Sequence, residues 1–251
     1  MTTGDQGSVS LNFLIAEILT SVLITQSNYL PWRGWYAVAR LADILVYLDD
    51  VQFTRRDWRN RNLIADVRGS KWLSVPLQNS GNYHSLIHDM VVSDSEWWQQ
   101  HLNQLDRAYG KFDSYQTLRS ELRSVFESLD GIESLSDINR LLNEWIFFTL
   151  KIKTCVRDSR EFPSSQRKTA RLIEICQNLG ATEYISGPAA RAYLDESQFE
   201  TNSINVRWID YNFLPPPIVT VNDMRELSVI HHLAIYGATE SIRMSTFKFS
   251  S

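Results

Sequence analysis

Three short polar segments near the start of the chain carry the side chains best suited to chemistry. They are residues 26–32 (QSNYLPW), 49–52 (DDVQ) and 57–62 (DWRNRN). A segment that only connects strands needs turn formers such as Gly, Asn and Asp, whereas these three also hold Trp, Gln, Arg and paired carboxylates. We therefore predict that they form a ligand-binding site.

Two adjacent carboxylates, Asp49 and Asp50, are the candidate catalytic acids or bases. Because successive side chains of a strand point to opposite faces, at most one of them is expected to reach a ligand. That carboxylate could act as a general base on an amine or hydroxyl nucleophile, or could orient a metal-bound or ammonium group. Capping of the following turn is an equally good interpretation of either residue, since Asp is a favoured turn residue.

Arginines dominate the third segment and the residues just before it. The charged residues between positions 55 and 61 are Arg55, Arg56, Asp57, Arg59 and Arg61. Guanidinium groups form bidentate, charge-assisted hydrogen bonds with phosphate or carboxylate, so this cluster predicts an anion-binding patch. A ring and two amides beside it, Trp58, Asn60 and Asn62, favour ligand binding over a solvated loop with internal ion pairs.

The remaining candidates offer amides, rings and one imidazole. The candidate binding residues are Gln26, Asn28, Tyr29, Trp32 and Gln52. The Gln26 and Asn28 amides could hold a sugar hydroxyl, a base edge or an oxyanion, or could satisfy the backbone of their own loop. Tyr29 and Trp32 could stack on a ligand ring, although packing against the following helix is the simpler role. His101 is a candidate proton shuttle, with a packed, hydrogen-bonded histidine as the equal alternative.

Apolar runs around the first segment indicate the elements that position it. Residues 18–25 and 43–48 fit buried strands, and residues 34–42 repeat apolar side chains at helical spacing. Strand, helix and strand predict two adjacent parallel strands joined by a right-handed crossover. The first two polar segments then leave the carboxyl ends of their strands, where open α/β sheets bind ligands.

The rest of the chain predicts an α/β fold with a Rossmann-like parallel sheet core in the N-terminal half, a helical middle region and a short C-terminal α/β segment. Further strands are predicted at 71–77, 85–92 and 205–210, and a short strand with a turn at 183–188. Helices are predicted at 96–109, 115–129, 136–151, 168–178 and 227–236, with Ser136 as the cap of its helix. A loose extension (1–12) should precede a single domain (13–251). Within that domain, 13–94 should carry the site, 95–180 the helical region and 181–251 the C-terminal part.

Composition narrows the classes of function. The chain has 251 residues, 43% hydrophobic content and a net charge of −4, which fits a sizeable core and argues against non-specific nucleic-acid or membrane-surface binding. Cys155 and Cys176 lack metal-ligand spacing, and His84 and His88 lie in a segment without helical pattern, so no metal site is predicted. The apolar stretch 11–24 is too short and too polar for a membrane span. We expect a cytoplasmic protein.

Taken together, these residues resemble the WbqC-like protein family. The resemblance rests on the three polar segments and on further matches at 72–76, 98–101, 109, 184–187, 193–194 and 227–228. Two positions depart from the family pattern, because Ser27 replaces a proline and His231 replaces a commonly acidic residue. If the acidic position is functional, this departure implies altered chemistry, or a role confined to the first-strand motifs.

The resemblance implies a part in assembling bacterial surface polysaccharide such as O-antigen. A glycyl or other aminoacyl transferase role toward a sugar has been suggested for some members, so it implies an enzyme that moves a small acyl or aminoacyl group onto a sugar or sugar nucleotide. No cofactor is predicted; the donor would be a phosphopantetheine thioester or a nucleotide-activated group. The implied partners are a sugar nucleotide or an activated amino acid, with a carrier protein as a further candidate.

Two alternative functions stay open. A nucleotidyltransferase-like enzyme would suit the opening strand, helix and strand, but the chain lacks an HxGH-like motif. A protein that binds glycan precursors without catalysis would use the same arginines and tryptophans for recognition alone.

Overall fold

Short apolar runs form the strands, and longer amphipathic ones form the helices. The computed structural model describes residues 20–66, 69–78, 84–216 and 227–248. The strands are β1 (Ser21–Thr25), β2 (Ile44–Tyr47), β3 (Arg61–Asp66), β4 (Gly69–Ser74), β5 (Cys155–Asp158), β6 (Glu183–Ser186) and β7 (Asn205–Trp208). The helices are α1 (Arg33–Ala39), α2 (Trp97–Tyr109), α3 (Asp113–Glu127), α4 (Leu135–Thr149), α5 (Lys168–Asn178), α6 (Glu196–Thr201) and α7 (Val229–Met244).

A five-stranded parallel sheet in the order β5-β2-β1-β6-β7 lies at the centre. In its register Leu23 of β1 lies between Leu45 of β2 and Ile185 of β6, and all three side chains are buried. The chain builds outward from β1 in one direction through β2 and β5, and then in the other through β6 and β7. This order is Rossmann-like. The predicted α/β class and its parallel sheet are confirmed.

Alternating side chains divide the core between the two faces of the sheet. Leu23 and Leu45 belong to a large apolar cluster that includes residues of α1, α2, α3, α4 and α7. Their neighbours Val22 and Val46 belong to a smaller cluster with Cys176 of α5 and residues of α6. Both faces are therefore covered by helices, as a buried parallel sheet requires.

An antiparallel hairpin, β3–β4, packs beside the main sheet and was not fully anticipated. Only its second strand was predicted, and the first begins at Arg61, inside the segment interpreted as an arginine-rich loop. The hairpin is fixed to α2 by a hydrogen bond from the Ala65 N–H to the Tyr109 hydroxyl (3.0 Å), and to the start of α7 by one from the Ser228 N–H to the Leu63 carbonyl (2.8 Å).

Other differences from the sequence predictions are local. The strand expected at 85–92 is wrong: the segment contains a 3-10 turn at Ile87–Asp89. Its backbone bonds to several different neighbours, including Val51 and Glu133, which prevents a continuous ladder. Strand β5 lies inside the range expected to be helical, and helix α6 was not predicted. The long helices predicted after residue 95 are confirmed.

Two sequence predictions concern the ends of the chain and its relation to membranes. The expected extension at 1–12 lies outside the described residues. Among the described residues, none of the helices has the length and apolar character that crossing a membrane would require.

Candidate functional site

Asp49 joins the ends of the first two strands. One of its carboxylate oxygens accepts the backbone N–H of Ser27, just after β1, at 2.9 Å, and the other accepts the hydroxyl of Ser136 on α4 at 2.8 Å. The residue is 2% exposed. Both oxygens of Asp49 thus hold β1, β2 and α4 together.

Asp50 points to different neighbours, as strand alternation predicts. It accepts hydrogen bonds from the Ser159 hydroxyl, just after β5, at 2.6 Å, and from Nη2 of Arg171 on α5 at 3.0 Å. The Asp50 side chain keeps 27% exposure, whereas that of Arg171 keeps 7%. Asp50 is therefore the more accessible of the two adjacent carboxylates.

Arg59 lies between an amide and a carboxylate. Its Nη1 donates to the Asn28 side-chain oxygen, and its Nη2 lies 3.5 Å from a carboxylate oxygen of Asp57. The Arg59 side chain is 14% exposed. Burial lowers the pKa of this guanidinium, against the opposing effect of the carboxylates of Asp57 and Asp49. The Asn28 carbonyl accepts a further bond from Asn143 of α4 at 3.1 Å.

Asn139 of α4 connects the Arg59 segment to the Asp49 junction. Its side-chain nitrogen donates to the Arg59 carbonyl at 2.9 Å and to the Ser27 hydroxyl at 3.1 Å. Asn28, Asp49 and Arg59 therefore lie close together at the carboxyl edge of the sheet. Their polar groups largely bond to one another and to α4.

Tyr29 and His101 contact each other inside the protein. The Tyr29 hydroxyl lies 2.7 Å from Nδ1 of His101, and Nε2 of that ring lies 3.3 Å from the Ser74 carbonyl. A carbonyl can only accept, so Nε2 carries the proton and Nδ1 accepts from the tyrosine. Burial lowers the pKa of His101 from 6.5 to about 4. These are the contacts of a packed, neutral histidine.

Asn62 fixes the backbone of the first segment. Its side-chain nitrogen donates to the carbonyls of Tyr29 (3.1 Å) and Leu30 (2.8 Å). Leu30 has a φ of 43°, a left-handed conformation that non-glycine residues rarely adopt. The buried Asn62 amide therefore stabilises a strained loop.

Gln26 and Trp32 lie toward the other neighbour of β1. The strand order reverses between β1 and β6, the position at which open α/β sheets form a ligand crevice. Gln26 follows β1 directly and is half-buried, and Trp32 packs on Tyr211 with ring centroids 5.2 Å apart. Gln26 and Trp32 therefore adjoin the switch point of the sheet.

A cleft of about 560 Å³ adjoins the second and third polar segments, residues 49–52 and 57–62. We call it the cleft beyond β2, because these segments follow β2 in the chain. Its apolar wall is formed by Phe53, Val75, Pro76, Leu77 and Met90. Its polar wall is formed by Gln52, Thr54, Arg55, Arg56, Asn60, Ser74, Gln78 and Ser85. A small-molecule site needs both kinds of side chain, because apolar ones supply contact area and polar ones fix the orientation of the ligand.

The cations of this cleft are accessible. Arg55 and Arg56 are exposed, and neither forms an ion pair within the part of the chain that the structure describes. The Asn60 side-chain nitrogen donates to the Val75 carbonyl at 2.9 Å, and this hydrogen bond fixes one wall of the cleft. The cleft thus presents two guanidinium groups to an incoming anion.

Three side chains form what we call the tryptophan–arginine cluster: Trp58, Arg61 and Trp72. The Arg61 guanidinium lies 4.2 Å from the centroid of the Trp72 ring, and the two indoles are 5.4 Å apart. Arg61 also donates from Nη2 to the carbonyl of Arg56, whose φ is 61°. The cluster is therefore bonded directly to a residue that lines the cleft.

Several residues that position the site were not singled out from sequence. Ser136, Asn139 and Asn143 each donate or accept at the carboxyl edge of the sheet. They lie at positions i, i+3 and i+7, on one face of a helix rich in Leu, Ile and Phe, and this polar stripe was the available signal. The apolar wall of the cleft gave no comparable signal, because Val75 and Met90 resemble ordinary core residues.

Within the described ranges, no three His, Cys, Asp or Glu side chains lie together as a metal-binding group.

Comparisons with known proteins place this geometry in a family. No solved structure matches the chain. The uncharacterized protein Rv1507c of Mycobacterium tuberculosis is 37% identical over 194 residues, which cover 77% of this chain and 84% of that protein. The sequence profile of the WbqC-like protein family matches residues 26–241, the range that contains the Asp49 junction, the cleft and the tryptophan–arginine cluster. On these grounds the chain belongs to the WbqC-like protein family.

Proposed function

We propose that the protein is a transferase that moves a small acyl or aminoacyl group, such as glycyl, onto a sugar or sugar nucleotide in surface-polysaccharide (O-antigen) or related glycan assembly. The observation that carries the proposal is the cleft beyond β2, with its two accessible guanidinium groups. A sugar nucleotide and a phosphopantetheine thioester both carry phosphate, which guanidinium groups bind well.

Asp50 is the carboxylate that we assign as general base. It is more exposed than Asp49 and lies two residues before Gln52, which lines the cleft. In the proposed step an acceptor amine attacks the carbonyl carbon of the donor thioester, and a carbon–nitrogen bond forms as the carbon–sulfur bond breaks. Asp50 takes the proton from the amine, and the thiolate leaves and is protonated.

The other predicted site residues take supporting roles in this proposal. The Asn28 oxygen accepts from Arg59, so its side-chain NH₂, together with that of Gln26, is the donor group for a developing oxyanion. Asp49 and His101 act as positioning residues, because their polar atoms bond within the protein. We place the reaction in the cytoplasm, because Cys155 and Cys176 are unpaired.

Turnover on a defined pair of substrates tests the proposal. The protein would be incubated with a glycyl thioester of phosphopantetheine and an amino-sugar nucleotide, and the sugar would be examined by mass spectrometry for an added glycyl group. Replacing both Arg55 and Arg56 with Gln should raise KM by about tenfold or more with little change in kcat, because charge-assisted hydrogen bonds to phosphate are lost. Asp50→Asn should lower kcat instead.

Arg243→Gln is the matched control for the cleft variants. Arg243 lies on α7, pairs with Glu240 and is 45% exposed, so its loss removes an arginine without touching the cleft. Equal KM values for the Arg55/Arg56 double variant and this control would contradict the assigned role of the cleft.

A second candidate function is binding of a glycan precursor without group transfer. The observation that favours it is that Asp49, Asp50 and His101 all have hydrogen-bond partners within the protein. Saturable binding of the amino-sugar nucleotide, with no mass gain across thioester and nucleotide-activated donors, would support this function over the transferase.

A further inference from the structure

We infer that the tryptophan–arginine cluster stacks the base of a nucleoside diphosphate whose phosphate groups bind Arg55 and Arg56. The inference rests on the proposed function, because it treats the cleft beyond β2 as the substrate site. It adds a substrate class, since it makes the bound substrate a nucleotide-activated molecule.

The first step concerns the exposure of Trp72. This side chain is 41% exposed although it lies on a strand whose next residue, Leu73, is 1% exposed. Strand alternation places Leu73 in the core and Trp72 on the outer face of the β3–β4 hairpin. Trp72 thus presents a large ring at the surface, where an indole can stack on a planar ligand.

The second step is that Arg61 connects the Trp72 ring to the cleft. Ser74 lines the cleft and, like Trp72, lies on the outer face of β4, two residues further along. Its partner across the hairpin is Arg61, whose guanidinium covers the Trp72 ring and bonds to the carbonyl of Arg56. One hydrogen bond and one cation–π contact therefore connect the ring to the anion-binding wall.

The third step is the combination of charge and ring. Neither Trp72 nor Phe148 is a lining residue of the cleft, but Trp72 is connected to the cleft through Arg61, whereas Phe148, which is 83% exposed, lies near the end of α4. Exposure alone therefore does not mark a binding site. At the tryptophan–arginine cluster the exposed indole carries the guanidinium of Arg61, which bonds to the backbone carbonyl of Arg56 at the cleft. A nucleoside diphosphate supplies the matching pair of groups, a flat base and two phosphates.

Titration calorimetry on the intact protein tests the inference with uridine diphosphate, adenosine diphosphate and inorganic pyrophosphate. Base stacking on an aromatic side chain predicts that at least one nucleoside diphosphate binds about tenfold or more tightly than pyrophosphate. Trp72→Ala should weaken the binding of that nucleoside diphosphate to the level of pyrophosphate and should change the Kd of pyrophosphate by no more than about twofold. Trp72→Phe should restore most of the difference, since a ring is retained.

Two controls separate stacking from folding and from charge. Phe148→Ala removes an exposed ring away from the cleft and should change none of the three affinities. Replacing both Arg55 and Arg56 with Gln should weaken the binding of nucleoside diphosphate and of pyrophosphate by similar factors. Circular dichroism of each variant reports whether the fold is retained, and Trp72→Phe provides the comparison if Trp72→Ala unfolds.

The possible failures differ from one another. Pyrophosphate that binds through Arg55 and Arg56 as tightly as both nucleoside diphosphates would overturn the stacking inference and leave the anion-binding cleft in place. N-acetylglucosamine 1-phosphate could also bind as tightly as the nucleoside diphosphates and lose the same affinity in Trp72→Ala. That result would place a sugar on the ring and would overturn the stacking inference. Absence of binding by every anion would overturn both the inference and the proposed role of the cleft.

Discussion

At the scale of single residues, Asp49 shows how a side chain can be close to a site and still act through the fold. Its two oxygens accept from Ser27 and Ser136, which belong to the end of β1 and to α4. At 2% exposure this carboxylate is out of reach of a ligand in the cleft. Its measurable contribution should therefore be to stability.

Two substitutions at Asp49 should have graded effects on stability. Asp49→Ala leaves the Ser27 N–H and the Ser136 hydroxyl without acceptors and should lower the free energy of unfolding by about 1 to 3 kcal/mol. Asp49→Asn should lose less, because its oxygen can accept from Ser27 while the Ser136 hydroxyl turns to accept from its NH₂. Urea unfolding measures both. An Asn variant that keeps wild-type stability but loses all turnover would identify Asp49 as a catalytic base instead.

Sequence reasoning brought these residues together but did not find their partners. Strand alternation placed Asp49 and Asp50 on different neighbours, and the shared edge of parallel strands placed Asn28 near Asp49. The Ser136 partner lies 87 residues from Asp49, so its contact depends on how α4 packs across the sheet. Local patterns carry no information about that packing.

At the scale of elements, two serines at the start of α4 have different roles. The predicted cap was Ser136, but the helix is capped by Ser134, whose hydroxyl accepts the Asp137 N–H at 3.3 Å. Ser136 is buried and donates to Asp49 instead. One serine thus caps the start of the helix, and the other joins the helix to the sheet.

The two serines should respond differently to alanine. Ser134→Ala should lower the free energy of unfolding by about 1 kcal/mol, the usual effect of losing an N-cap. Ser136→Ala leaves one oxygen of a buried carboxylate unpaired and should lower it by about 1 to 3 kcal/mol. Combined with Asp49→Ala, the Ser136 effect should largely disappear, whereas the Ser134 effect should persist. Additive effects of Ser136→Ala and Asp49→Ala in urea unfolding would contradict the assigned contact.

Strand β5 shows which elements the sequence could not reveal. It has four residues, CVRD, and only Asp158 is buried. Such a run has neither apolar periodicity nor useful length, and it becomes a strand because Cys155 and its successors pair with β2 at the edge of the sheet. Strand β1 and helix α2, by contrast, have apolar patterns that specify them locally.

At the scale of the whole molecule, buried histidines connect stability to pH. His101 lies beneath the β3–β4 hairpin, and His231 and His232 lie on α7. Burial lowers the pKa of His101 and His231 from 6.5 to about 4 and that of His232 to about 3, the last with further lowering from His231 and Arg33. Folding therefore keeps all three rings neutral at a pH where the unfolded chain protonates them.

The free energy of unfolding should have its full value above about pH 6.5 and should decrease as the pH falls toward 4. In that pH range the unfolded state binds more protons than the folded state does. Between pH 7.5 and pH 5, urea unfolding should show a loss on the order of 1 to 2 kcal/mol from His101 alone. His101→Gln should reduce this pH dependence. Tyr29→Phe removes the hydroxyl bonded to the same ring but keeps the titrating group, so it should lower stability at every pH and preserve the slope. A slope unchanged by His101→Gln would show that His101 does not titrate with folding, and that the acid sensitivity has another source.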